Sequence, residues 1–210
     1  MEHRKLYHSI LLQINQKVIV VEGPVPTEQL LDMRMNPDLM TFRRPKEQHE
    51  ALVDIAALPE GRIIVARDGA TIVGYVTFHY PDENEPWSAG KMEDLIEFGA
   101  IEVANSYRSL GLGKEMLRLA FAEEQMENVI VFATEYYWYW DLRNSKLSVW
   151  DYRSMTEQLL KCVDMARYAT DDPEICSHPA NCLMVRIGKH VPLTSVEQFD
   201  RIRFRRSFMY

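Results

Sequence analysis

EFGAIEVANSYRSLGLGK, residues 97–114, decides the fold. Its first part, continued upstream to Asp94, reads as a strand to Val103; its second part is Arg108-x-x-Gly111-x-Gly113, opening a helix from about Gly111 to Glu124. Arg-x-x-Gly-x-Gly between a strand and a helix suits a pyrophosphate. Glycines let the backbone approach the anion, and N–H groups at the helix start aim at it with the favourable end of the helix dipole. Arg108 and Lys114 add countercharge. A Walker A loop requires Gly at 108 and Ser or Thr at 115, where Arg108 and Glu115 stand; a Rossmann fingerprint requires Gly or Ala at 116, where Met116 stands. Both are excluded.

Working outward, strand and helix signals alternate. Lys17–Glu22 (KVIVVE) is a short β-branched run stopped by Gly23-Pro24. Thr27 is expected to cap a helix carrying Leu30, Leu31 and Met33, ended by Asn36-Pro37. A second helix follows Pro45, with Leu52, Val53, Ile55 and Ala56 inward. Arg62–Arg67, the pair Asp68-Gly69 and Ala70–Tyr80 form a hairpin signal. After an acidic loop, Pro81–Trp87, come the strand and helix above, and then a buried strand at Asn128–Ala133 (NVIVFA). The order β-α-α-β-β-β-α-β, followed by a less regular C-terminal part, predicts an α/β fold. One domain is expected over 1–210, with the cofactor segment at about 94–125.

Composition limits the function classes. With 210 residues and 47% apolar content, the chain is long enough to bury a core. A formal charge of −7 gives no general attraction for nucleic acid or an anionic membrane; a cationic substrate fits better. Arg4 and Lys5 precede Ile10, Leu11 and Leu12, but Gln13 and Asn15 end the apolar stretch without a cleavage site, so no signal peptide is expected. No window approaches the ~20 apolar residues of a membrane span. Cys162, Cys176 and Cys182 are an odd set without a paired framework, which points to a reducing cytoplasm.

The segment around Arg108–Lys114 resembles motif A of the GNAT superfamily of N-acetyltransferases, and the element order matches that fold, a central mixed twisted sheet flanked by helices. The resemblance implies acetyl-CoA as co-substrate, with Ile101 and Val103 offering main-chain groups to pantetheine. Arg108, Ser109, Leu110, Gly111, Leu112, Gly113 and Lys114 would hold the pyrophosphate. Taken whole, with its EFGAIEVANSYRSLGLGKEML core and its ATEYYWYWD segment, the chain is similar to the acetoin-utilisation acetyltransferases of bacilli. That likeness implies acetylation of a lysine of acetyl-CoA synthetase, which switches the synthetase off. A small-amine acetyltransferase and a binding module that inhibits by docking are the alternatives.

Amine acetylation needs a base, since a lysine is neutral in only about one part in 2,500 at pH 7, a cost of about 4.6 kcal/mol. Glu97 and Glu102 are the candidates. Glu97 comes first, because it stands at the position that carries a catalytic glutamate in several protein-acetylating relatives. Strict alternation puts the two on opposite faces, and a bulge would change that parity. Asp82, Glu83, Glu85, Glu93 and Asp94 are expected to rim the acceptor cleft beside Glu97. The family's acid is a tyrosine on the helix after the fifth strand. Here Asn144–Asp151 imitates the spacing, but Asp151 takes the tyrosine position and Tyr152 is one residue late, leaving Tyr152 as the candidate.

Tyr136-Tyr137-Trp138-Tyr139-Trp140 is a candidate acceptor or interface surface, with packing as the competing role. Cys176-x-His178-x3-Cys182 lacks a fourth ligand, and no metal site is expected. Arg201, Arg203, Arg205 and Arg206 alternate with Ile202 and Phe204, which suggests an exposed edge strand.

Overall fold

The computed structural model describes residues 3–205. The class is α/β, as expected, with a mixed sheet and helices on it. The strands and helices are β1 (His8–Ile14), β2 (Lys17–Gly23), α1 (Thr27–Leu31), β3 (Arg34–Met35), α2 (Pro45–Ala57), β4 (Arg62–Asp68), β5 (Thr71–His79), β6 (Leu95–Val103), α3 (Leu112–Ala120), β7 (Ile130–Glu135), α4 (Leu142–Ser145), α5 (Val149–Lys161), β8 (Ala166–Tyr168), β9 (Cys182–Ile187) and α6 (Leu193–Arg203). They fall into two compact units, one from the N-terminal part up to His79 with Phe98–Glu123, the other from Tyr80–Glu97 and the chain from Glu124 onward. β6 passes from one to the other after Glu97.

In the first unit β1, β2, β4 and β5 pair antiparallel in that order, and β3 joins β5 in parallel. β1 was not foreseen. Asn15 and Gln16 both take positive φ, 46° and 66°, and turn the chain so that Ile14 pairs with Lys17. This suits a tight hairpin loop. Thr27 is the first helical residue and not the cap; Pro26 holds that place, and α1 ends at Leu31. α2 begins at Pro45 as expected, burying Leu52 and Ala56. α3 turns Leu112, Met116, Leu119 and Ala120 inward, spacings that put them on one helix face. Gly74, in the middle of β5, lets that helix lie close, since a Cβ there would come 3.0 Å from the Met116 methyl. At the rim a buried ion pair, Arg62 to Glu123 at 2.8 Å, also takes in the backbone of the N-terminal segment: Arg62 donates to Arg4 O and Leu6 N donates to Glu123.

In the second unit Leu95–Glu97 of β6 pairs in parallel with Ile130–Phe132 of β7, β9 pairs antiparallel with β7, and β8 pairs with β9. One face of β7 and β9, carrying Ile130, Phe132, Leu183 and Val185, packs on Trp87, Phe199 and Ile202. The arginine-rich C-terminal stretch is not an edge strand: Arg201 and Arg203 end α6, whose Phe199 and Ile202 are buried three residues apart. Helical packing of these two apolar residues overrides the local alternation. Arg205 lies just past α6, and Arg206 lies outside the described residues.

Candidate active site

The loop after β6 is shaped by its own backbone. Ala104 N–H bonds to Val73 O, Asn105–Tyr107 make a tight turn, and Arg108 Nε donates to Val103 O at 3.1 Å. Tyr107 fastens the turn, its hydroxyl donating to Asp68 at 2.7 Å while Lys17 donates to both. The hydrogen bond from Lys17 holds the Asp68 carboxyl below the usual range. Ser109 and Gly111 take φ of 63° and 80°. Gly111 caps α3 with no side-chain hydrogen bond, and nothing lies within 4 Å of where its Cβ would be. Backbone N–H groups of the first turn therefore lack a side-chain cap on an open surface, the arrangement that receives phosphate.

Of the residues assigned to this loop by the sequence, Ser109, Gly111 and Lys114 are exposed, and Arg108, Leu110 and Gly113 are half-buried. The Leu112 side chain is in the core, so only its main chain faces a ligand. Ile101 and Val103 lie half-buried on β6. This loop fits the pyrophosphate of a coenzyme A thioester.

The two glutamates of β6 meet different surroundings. Glu102 is buried and accepts from the Tyr75 hydroxyl at 2.8 Å and from Thr41 N–H at 2.9 Å. Burial, and then the Glu102 charge, push the Tyr75 phenol well above its ordinary range. Tyr75 and Thr41 thus fix Glu102 between β5 and the segment before α2. Glu97 pairs in register with Phe132. Burial, followed by the charges of Glu85 and Asp82, pushes its carboxyl up to about 8. A carboxylate with that affinity for protons near neutral pH is suited to take one from an amine.

The aromatic run follows β7. Tyr136 stacks on Trp138, with centroids 4.8 Å apart, and Tyr137 lies 4.2 Å from His178. Trp140 donates its indole N–H to Glu135 at 3.0 Å and stacks on Tyr152 at 5.2 Å. Tyr152 is on α5, behind a helix break: Lys146 takes φ 56°, and Ser148 caps the new helix by accepting from Asp151 N–H. The Asn144–Asp151 spacing therefore spans two helices. Glu135, which sequence reading passed over, has its carboxyl raised by burial. Its only signal was a carboxylate closing an apolar strand.

The cysteine–histidine motif is dispersed. Cys176 is exposed, His178 accepts from Ala180 N–H while packed on Tyr137, and Cys182 is buried opposite Glu135, its thiol pushed up to about 12 by burial and then by the Glu135 charge. Among the described residues no group of three or more His, Cys, Asp or Glu is placed to hold a metal ion, and no helix is long and apolar enough to cross a membrane.

Residues 29–143 match the model of the acetyltransferase (GNAT) family. Over all 210 residues, covering each chain completely, the sequence is 57% identical to the acetoin utilization protein AcuA of Bacillus subtilis and 51% identical to that of Bacillus licheniformis. The crystal structure of an acetoin utilization protein from Exiguobacterium sibiricum 255-15 superposes with a TM-score of 0.96 at 50% identity, covering 99% of this chain and 98% of that one. The GNAT domain of S. lividans PAT shares the fold at 11% identity, with a TM-score of 0.52 over 86% of this chain and 96% of that one.

Proposed function

Because the chain belongs to the acetyltransferase (GNAT) family and is an acyl-CoA-dependent N-acetyltransferase, we propose that it acetylates a protein lysine in acetoin and acetate metabolism, the substrate being acetyl-CoA synthetase, which is thereby inactivated. The observation that carries this reading is the setting of Glu97, a half-buried carboxyl held near 8 beside Glu85 and Asp82. Those neighbours favour an approaching ammonium by charge. Glu97 then accepts its proton, directly or through a water, and the freed nitrogen attacks the acetyl carbonyl. The C–N bond forms as the C–S bond breaks, and the second proton shed by the nitrogen goes to the departing thiolate, leaving the amide and free coenzyme A. Acetyl-CoA supplies an activated acyl group and a thiolate of low basicity.

The loop from Arg108 to Lys114 binds the pyrophosphate through its N–H groups and two cations, while Ile101 and Val103 present their main chains to pantetheine. Glu102 is assigned a positioning role, holding the segment at Thr41. Tyr152, whose ring stacks on Trp140, is kept as the candidate to protonate the departing thiolate. Support for acetoin metabolism is the full-length likeness to two acetoin utilization proteins. The free thiols fit a reducing cytoplasm.

The test is acetylation of purified acetyl-CoA synthetase, with mass-spectrometric mapping of acetyl-lysine and assay of synthetase activity. One modified lysine with loss of synthetase activity is the expected result. Turnover of polyamines with no protein acetylation would replace this reading with the small-amine one.

A further inference from the structure

Trp138, Tyr139 and Trp150 are 41%, 59% and 55% exposed. They are not scattered. Trp138 lies 6.1 Å from Tyr139 and 5.4 Å from Tyr137; Tyr137 lies on His178, and Trp150 stacks on the same histidine at 6.5 Å. The result is one continuous aromatic face built from the short turn after β7, the start of α5 and the turn at His178.

The base of the face is tied down. Tyr137 N–H is held by Asn181 Oδ1 at 3.0 Å, Trp140 by Glu135, and Tyr136 packs on the core cluster beneath. Exposed tryptophans of this kind are costly to leave in water and are favoured at the centres of protein interfaces.

Two further observations say what covers it. The Asp172–Glu174 turn is brought alongside by Asn181, which donates to Glu174 O, and no lysine or arginine stands between Arg167 and Arg186. Arg153 of α5 reaches this turn, donating to Pro179 O, but is paired with Glu157 at 2.7 Å, so Asp172 and Glu174 leave this edge acidic. That edge repels nucleic acid and anionic lipid, and a two-fold contact with a second copy would bring like charges together. The face also adjoins the candidate base through Tyr136: Asp172, Glu174 and Glu85 all act on its hydroxyl, and Glu85 acts on Glu97 as well.

We propose that the face formed by Trp138, Tyr139, His178 and Trp150 docks a basic surface of the folded acceptor protein, whose target lysine passes Tyr136 to reach Glu97. The inference rests on the protein-lysine reading above and specifies where that substrate binds. None of the four residues belongs to the catalytic or coenzyme-binding set.

The experiment compares wild type, Trp138→Ala, Trp150→Ala and Asp172→Lys/Glu174→Lys on two acceptors, intact acetyl-CoA synthetase and Nα-acetyl-lysine methylamide. Each tryptophan variant should raise KM for the intact protein by ~30-fold, the scale of a central interface residue, with kcat and the turnover of the small amide unchanged. Charge reversal should raise the same KM and flatten its dependence on salt. Unchanged protein KM in both tryptophan variants overturns the docking face while leaving the protein-lysine reading intact. Wild-type enzyme that acetylates the amide and no intact protein overturns both. Sedimentation completes the test: a wild-type dimer that dissociates in Trp138→Ala, with protein KM unaffected, assigns the face to a second copy.

Discussion

Replacing Glu97 with glutamine should stabilise the protein and disable it together, and the two effects should share one pH dependence. In the unfolded chain this carboxyl titrates at the ordinary value of 4.5, and in the folded chain at about 8. Between those values the folded state holds one more proton than the unfolded state, so stability contributed by this group falls as pH rises. The slope is about 1.4 kcal/mol per pH unit, and the full penalty over the 3.5 units from 4.5 to about 8, reached above pH 8, is on the order of 5 kcal/mol. Below pH 4.5 both states are protonated and the penalty vanishes. Glutamine copies the protonated shape without the charge. Urea unfolding at pH 5, 6, 7 and 8 should therefore show the variant gaining on wild type at each step, by ~2–3 kcal/mol between pH 5 and 7. Over the same range wild-type kcat/KM should rise toward a plateau above about pH 8, as the base becomes ionised. The variant should lose ~10²-fold in acetyl transfer while keeping its affinity for coenzyme A. A stability difference that stays flat from pH 5 to 8, with a wild-type activity limb near 4.5, would refute the burial argument and with it the choice of base.

Gly111→Val forces a β-branched residue to φ 80°, and should cost ~1–3 kcal/mol and weaken coenzyme A binding, read by thermal melting and calorimetry. Saturating coenzyme A at ~100-fold its Kd should raise wild-type stability by ~2.7 kcal/mol, seen as a higher Tm. Glu123→Gln leaves Arg62 buried without its counter-charge and should destabilise by ~3–5 kcal/mol in urea, with per-molecule activity retained under folding conditions. Glu102→Gln should keep measurable transfer and lose stability on the scale of a buried charged hydrogen bond, ~1.5–3 kcal/mol.

The strand-to-helix joint proposed to hold the cofactor was legible as a structure because its requirements are local. A tight approach to an anion demands glycine in a particular place, and Arg108, Gly111 and Gly113 stand in order at a strand-to-helix joint. The hairpin of β4 and β5 was readable for the same reason, from Asp68-Gly69 between apolar runs. What failed was non-local. β1 is mostly exposed on both faces, so it carries no burial alternation, and only Asn15 betrayed its turn. Arg201 to Arg206 alternate locally, but Phe199 and Ile202 are set by the core they enter. Glu97 and Glu102 look alike as letters. Their difference comes from Tyr75, Thr41, Glu85 and Asp82, residues brought near by folding. Neither Glu135 nor the joined aromatic face had a spacing rule to announce it.

The unequal surroundings of the sulfur atoms offer a practical handle. Cys182 is buried, with a thiol resistant to ionisation, so alkylating reagents will find it inert in the native state. Cys176 is exposed on the turn just ahead of His178. A maleimide dye attached there, with half-buried Cys162 changed to serine, would sit two positions along the chain from the aromatic face. Its emission would then report the arrival of a partner without any need to follow turnover.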